Sequence, residues 1–302
     1  MNELGVSVVI PTLNRDEFLY DSINDMLHQD FEKYEILVVD QSDNINEKVE
    51  ELVKNTPGKI RYFRNLGFKG LPQARNFGWQ NAKYEIILYI DDDIRSNEFL
   101  IKNHASCYED PEVGLVGGGI DEQHRGLDAR EPSGSFHPWT CTPHRGFASK
   151  HDQIVSHVPG GNFSVRKEVM EKVNGVDEVL NVGAALYEET DLSLRIKKLS
   201  YKILFKADAR LLHLAADTGG CRVLSDIPGY MRGLAHNRSL VITRHLKWYH
   251  RMTAFMRLVL LGVSYSRADR SLNPLLATIQ GIKAGRKSGL EPAVCGNYRV
   301  KE

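Results

Sequence analysis

Over the first hundred residues two hydrophobic periods alternate, and this pattern leaves few folds open. "VSVVIPT" (Val6 to Thr12) is a short β-branched run ended by Pro11 and reads as a buried strand. Leu19, Ile23, Met26 and Leu27 then fall on one helical face. "YEILVVD" (Tyr34 to Asp40) predicts a second strand, and Ile45, Val49, Leu52 and Val53 return to helical spacing. "KIRYFRN" (Lys59 to Asn65) predicts a third strand, and "GLPQARNFGWQNA" a helix with Pro72 in its first turn. "EIILYI" (Glu85 to Ile90) is a fourth strand and runs into Asp91, Asp92 and Asp93. Strands alternating with helices imply a parallel sheet with right-handed crossovers.

In such sheets ligands bind beyond the carboxyl ends of the strands. The residues at those ends are Thr12, Asn14 and Arg15, then Asp40, then the aspartate triplet. Three adjacent carboxylates repel one another and raise each other's pKa, so a positive partner is expected there. Downstream, residues 120–158 are rich in Gly, Pro and His with little periodicity and read as a long loop or flap. Gly160 and Gly161 permit close backbone approach. A short helix follows Ser164 and Val165, and "YEETDLSLRIKKLSYKILF" predicts a helix opened by acids and then a strand around Ile203 to Phe205.

The six segments "VSVVIPTLNR", "ILVVDQSDN", "QARNFG", "YIDDDI", "GGNFSVRKEV" and "YEETDLSLRI", in this order, resemble the family 2 glycosyltransferases over about two thirds of the chain. The resemblance implies a GT-A fold: an α/β, Rossmann-like, mixed and mostly parallel sheet flanked by helices. It also implies inverting transfer from a nucleotide-diphospho-sugar. In relatives Asp91 and Asp93 match a DxD motif, with Asp93 a direct ligand of Mn²⁺ or Mg²⁺ and Asp91 facing the ribose or the metal's water shell. Strand alternation predicts that Asp92 points to the opposite face. His213, after the last strand, matches a position that in relatives can be a further metal ligand, although a structural histidine is as compatible with the sequence. The general base matches Glu189, with Glu188 as the lesser candidate. Asp191 stands as either a third catalytic acid or a helix-start partner. Pro11, Thr12, Asn14 and Arg15 match the nucleotide loop, Asp40 the residue that reads the base, and Arg75 a further nucleotide contact, with Asp92 beside them. The loop of Gly160, Gly161 and Asn162 is expected near the donor sugar, and Arg222 of "TGGCR" in a loop closing over the phosphates. UDP and dTDP donors both fit an acid that reads what uracil and thymine share.

The chain has 302 residues and balances 39 Lys+Arg against 39 Asp+Glu. That balance is uneven along its length. From Pro228 to Glu302 there are 13 basic and 3 acidic residues, a net +10, leaving −10 on residues 1–227. The expected division is a catalytic domain over 1–227 and a basic helical extension over 228–302. In "GYMRGLAHNRSLVITRHLKWYHRMTAFMRLVLLGV" the cations interleave with Tyr230, Leu234, Trp248, Phe255 and Leu258. The apolar run is shorter than the roughly 20 residues that span a bilayer, so the segment reads as a basic amphipathic surface that packs on the domain, lies on an anionic membrane, or does both. The four cysteines form no CxxC pair and the N-terminus lacks a signal-peptide pattern, which points to a cytoplasmic protein, peripheral to the membrane if the tail binds it. The partners expected are a nucleotide-sugar donor and a glycan or lipid-linked acceptor, with no nucleic acid; the sequence leaves oligomeric state open. Two other readings remain: a sugar-nucleotide nucleotidyltransferase, disfavoured because "IPTLNRDEF" lacks a Gly-rich basic loop, and a non-catalytic nucleotide- or sugar-binding protein.

Overall fold

The computed structural model describes residues 4–44, 46–64, 66–123, 126–214 and 226–300. Its first half follows the alternating periods: β1 (Val6–Thr12), α1 (Asp16–Leu27), β2 (Tyr34–Asp40), α2 (Glu47–Asn55), β3 (Ile60–Phe63), α3 (Leu71–Asn81) and β4 (Ile86–Ile90). The apolar faces meet as expected: Leu19, Ile23 and Met26 of α1 and Val49 of α2 are buried beside the strand core. Ile45 lies outside the described residues. The Asn46 side chain starts α2 by accepting from the Val49 amide at 3.2 Å, a capping bond that supplies one of the helix's unpaired donors.

The middle of the chain holds more strand than its pattern announces. After β5 (Ile94–Ser96) and α4 (Leu100–Ser106) comes β6 (Val113–Glu122), then the small hairpin β7 (Phe136–His137) and β8 (Thr142–Pro143), and β9 (Gln153–Ile154). β10 (Asn162–Arg166) precedes α5 (Lys167–Lys172); α6 (Glu188–Lys198) and β11 (Lys202–His213) follow. β11 is far longer than the expected strand around Ile203 to Phe205. A register shift against β6 between Lys206 and Leu211 bends it and lets pairing resume as far as His213 and Glu122.

Among the described residues the main sheet runs β3-β2-β1-β4-β10-β6-β11-β5, with β9 paired to β11. β1, β2, β3 and β4 are parallel, and β10 enters antiparallel between β4 and β6. This one reversal sets the site. The amino end of β10 lies beside the carboxyl end of β4, with Asn162 opposite Ile90, so Gly160 and Gly161 turn next to Asp91. β11 runs parallel to β6 and ends on the same edge with His213 opposite Glu122.

Three helices complete the chain: α7 (Ile227–His245), α8 (Trp248–Asp269) and α9 (Asn273–Ser288). They are packed on the body that carries the sheet. The buried Asn237 amide donates to the carbonyls of Leu180 (2.9 Å), Val182 (3.2 Å) and Leu186 (3.0 Å), and α7 and α8 share a second apolar core with Leu180 and Tyr187. α9 crosses α7 through Gly281, Gly285 and Gly289, where a Cβ would run into the carbonyls of Arg232, His236 and Leu240. Residues 289–300 then return to α3: the Tyr298 amide donates to Gln80 Oε1 at 2.6 Å, and its ring packs at a tilt against Phe68 with centroids 4.8 Å apart.

Since no side chain fits at the α7–α9 crossing, Gly285→Val is expected to cost about 1–3 kcal/mol through overpacking. Thermal melting should show this as a drop of several degrees. An unchanged melting temperature would mean that the two helices do not meet at Gly285.

Candidate active site

The strand ends bring a cluster of acids to one edge. The chain leaves β4 at Ile90, so Asp91, Asp92 and Asp93 sit in a turn and not on a strand. Asp92 therefore does not point to the opposite face: alternation governs a strand and lapses in a turn. The Asp92 carboxylate accepts from Thr12 Oγ1 at 2.6 Å and from Arg15 at 2.9 Å. The same Arg15 nitrogen lies 2.9 Å from Asp93 Oδ2, so one guanidinium from the β1–α1 loop grips two of the three acids. Asn14 makes that loop turn tightly with φ of 55°, and its amide donates to Ser42 Oγ at 2.7 Å. Burial still drives the Asp92 pKa up, to about 7, against the pull of Arg15 and the Thr12 hydrogen bond. Burial also raises Asp91; Arg75 opposes this and neighbouring Asp93 adds to it.

Asp91, Asp93 and His213 each offer a ligand atom, and the three atoms lie within 4.8 Å of one another. Two hard carboxylate oxygens and an imidazole nitrogen suit Mn²⁺ or Mg²⁺, so the residues present fit the metal that the sequence implies. His213 Nε2 lies 3.3 Å from Asp93 Oδ1. Its Nδ1 lies 3.0 Å from Glu122 Oε2, and Glu122 Oε1 accepts from Arg145 at 2.8 Å. Burial works against a charged His213, but the hydrogen bonds to Asp93 and Glu122 overturn it and lift the pKa to about 10. The hydrogen bond from His213 lowers Glu122 to about 2, burial opposing. Glu122 thus holds the ring by one nitrogen and aims the other at the aspartates, the usual arrangement of a carboxylate behind a metal-binding histidine.

Two clefts meet at this cluster. One, of about 250 Å³, is lined by Pro11, Thr12, Arg15 and Gln41 together with Asp91, Asp92 and His213. The other, of about 400 Å³, holds Glu189, Gly160, Gly161, Glu122 and Arg145, again with Asp91 and His213. Asp91 and His213 form the common wall. Gly161 lets the backbone pass close to Asp91, since a Cβ there would meet the Asp91 carboxylate at its present position.

The acids of α6 separate by environment. Tyr187 adopts a left-handed conformation (φ 73°) just before the helix. Glu188 is 1% exposed and ion-paired with the buried Arg75, whose other nitrogen donates to the Gly160 carbonyl at 2.6 Å. Glu189 instead opens onto the larger cleft, and burial raises its pKa. Glu188 is thus turned towards Arg75, and Arg75 supports the Gly160 turn. Asp191 is also removed from the clefts. It is fully buried and paired with Arg195 (2.7 Å), Arg244 (3.1 Å) and His245 (2.7 Å). Burial alone would raise its pKa, but these partners hold it well below the ordinary carboxylate range.

Two further expected contacts are turned inward. Asp40 is 2% exposed, accepts from Tyr62 (2.5 Å) and the Ser42 amide (2.8 Å) and is ion-paired with Arg64 (3.3 Å), while Gln41 lines the smaller cleft. The Asn162 side chain is buried, donating to the Gly119 and Ala209 carbonyls and meeting His104 at 2.9 Å. Arg222 lies outside the described residues. Glu122, Arg145 and Gln41 were not anticipated. Glu122 ends the run "VGLVGGGIDE", so an acid at a strand end was there to be read.

The chain matches the family model described as glycosyl transferase family 2 over residues 7–173, more than half its length. It belongs to that family. The GT-A fold expected from its motifs stands: the structure is similar to GalNAc-T7 solved with UDP, GalNAc and Mn²⁺ (TM-score 0.62, 19% identity, 89% of this chain and 58% of that one). It is likewise similar to the mannosyltransferase PcManGT of Pyrobaculum calidifontis with GDP-Man and Mn²⁺ (TM-score 0.60, 16% identity, 96% and 88%). Among curated family relatives, the GalNAc(5)-diNAcBac-PP-undecaprenol beta-1,3-glucosyltransferase of Campylobacter jejuni is 36% identical over 91 residues, 29% of either chain. The probable glycosyltransferase YdaM of Bacillus subtilis is 24% identical over 222 residues, 68% of this chain and 50% of that protein. The chain thus spans half or less of the length of these two relatives.

Glu122→Ala is expected to weaken Mn²⁺ binding about 10–100-fold, and Asp93→Asn at least as much, both read by calorimetry on folded protein. Wild-type affinity in Asp93→Asn would remove that residue from the ligand set. For Asp191 the folded-state pKa lies below the unfolded one, so its stabilisation is complete above about pH 4 and is lost as the pH falls through the folded value. Asp191→Asn should cost roughly 3–5 kcal/mol at neutral pH, and its deficit against wild type should shrink as melting is repeated at increasingly acid pH.

Proposed function

We propose that this chain is an inverting glycosyltransferase. It would move a sugar from a UDP- or dTDP-linked donor to a glycan or lipid-linked acceptor at the cytoplasmic face of a membrane, in building a cell-envelope polysaccharide or glycolipid. The observation that carries this reading is the shared wall of the two clefts: Asp91 and His213 face both the β1 loop and Glu189. A donor lying along Thr12, Arg15 and Gln41 brings its diphosphate to the aspartates and its anomeric carbon to the Glu189 side. The named relatives from Campylobacter jejuni and Bacillus subtilis support glycosyl transfer, as do the nucleotides and Mn²⁺ in the similar structures.

A divalent cation held by Asp93, Asp91 and His213 would neutralise the charge that develops on the departing nucleoside diphosphate. The remaining work falls to the protein. The acceptor hydroxyl oxygen attacks the anomeric carbon from the side opposite the diphosphate, and that bond breaks as the new one forms. Glu189 takes the hydroxyl proton. Its burial raises the carboxyl's affinity for a proton, which suits a general base working near neutral pH. Arg75, through Glu188 and the Gly160 carbonyl, keeps the α6 start and the glycine turn in register.

Calorimetric titration with UDP, dTDP and GDP, each with Mn²⁺ and with EDTA, tests the donor site. One nucleotide should bind tightly, and only with metal. Binding of none by folded protein would favour a non-catalytic member of the fold. Glu189→Gln should keep metal-dependent nucleotide binding and lose transfer by at least about 100-fold. Near wild-type transfer in that variant would assign the base elsewhere.

A further inference from the structure

Among the described residues, α8 presents an exposed apolar face. Trp248, Met252, Met256, Val259 and Leu260 are between 38% and 72% exposed, and at about 100° per residue they fill one side of the helix. The opposite side, with Ala254, Leu258 and Gly262, is buried against the neighbouring helices. Scattered exposed apolar residues are ordinary on a soluble protein, but a stripe three turns long marks a surface that something covers.

Charge and aromatic placement say what covers it. The stripe belongs to the segment that carries a net +10. Lys247 just before α8 and Arg257 on it are exposed, and the Arg286 guanidinium lies 5.6 Å from the Phe255 ring at the stripe's edge. A second copy of this chain would set two such basic faces against each other. At the amino end of α8, Trp139 from the tip of the β7–β8 hairpin packs edge-on against His250 with centroids 4.5 Å apart, and its carbonyl accepts from Thr253 at 2.7 Å. Trp139 and Trp248 stay 54% and 72% exposed. Amphipathic rings beside cations suit the headgroup layer of a bilayer. No helix among the described residues is long and apolar enough to cross a membrane, so the geometry fits a helix lying in the interfacial plane.

We propose that this face docks on an anionic phospholipid surface, with α8 in the headgroup layer and the β7–β8 hairpin as the link to catalysis. The inference rests on the glycosyltransferase reading for its purpose. The hairpin tip, Trp139, meets the surface, while Pro143 and Arg145 at its other end line the cleft that holds Glu189. An acceptor hydroxyl on a lipid-linked glycan would then reach Glu189 along the hairpin without the lipid leaving the bilayer.

The test is co-sedimentation of the full chain with vesicles of phosphatidylcholine alone or mixed with phosphatidylglycerol, together with tryptophan emission. The expected result is salt-sensitive binding to the mixed vesicles with a blue shift. The double variant Trp248→Ser/Met252→Ser should lose roughly tenfold or more in partitioning with an unchanged melting temperature. Arg257→Glu/Arg286→Glu should lose binding to anionic vesicles. Absence of binding by folded wild type, or equal binding to neutral vesicles, would overturn the proposal. So would a dimer, seen by light scattering, that the Trp248→Ser/Met252→Ser variant abolishes. Vesicle binding is read without any sugar transfer, so its failure leaves the donor-site titration intact, and failure of the titration leaves the vesicle result intact.

Discussion

One guanidinium makes the active edge tenable. Five consecutive apolar residues of β4 lead into three acids, and Arg15 lies 2.9 Å from both Asp92 and Asp93. Without a fixed cation, these buried carboxylates would have to take up protons or move apart. Arg15 and Thr12 hold Asp92 back, which leaves Asp91 and Asp93 facing His213. The turn after β4 is thus divided between Asp92, tied to Thr12 and Arg15 of the β1 loop, and Asp91 and Asp93, which each have an oxygen within 4.8 Å of a His213 nitrogen.

A second buried cation does comparable work on the other side. Arg75 comes from α3, Glu188 from α6, and the Gly160 carbonyl from the turn before β10. Three elements distant in sequence are tied at one point, next in sequence to Glu189. A buried ion pair of this kind adds little net stability when intact, and its value here is positional.

The parallel half of the sheet was legible because its strands and helices obey clean local periods, as with Ile23 and Val49. So were Asp91 and Asp93 just beyond β4, while His213 at the end of β11 and Glu189 at the start of α6 were singled out by the family resemblance. The antiparallel strands were less so. "NFSVR" is five residues behind two glycines and carries little strand signal of its own; its pairing with Ile86 to Ile90 defines it. β6 is rich in glycine, with Gly117, Gly118 and Gly119 in its middle, a composition that local propensity counts against a strand. Side-chain direction was the least legible. Asp40, Asn162, Asp191 and Arg75 hold family positions, yet each points to protein partners, and Tyr62, His104, Arg244 and Glu188 are brought to them only by tertiary structure. The glycines at 281, 285 and 289 carried a regular four-residue signal that marks the α7–α9 crossing.

The return of residues 289–300 to α3 has a consequence for how the molecule comes apart. The helical layer is fastened at both ends, by Asn237 under α7 and by Tyr298 on Gln80 and Glu178. Peeling it away would strip carbonyl partners from the segment before α6 and an aromatic lid from Phe68 in the same event. Sheet and helices are therefore expected to melt together, and loss of the tail to destabilise the sheet-bearing half as well.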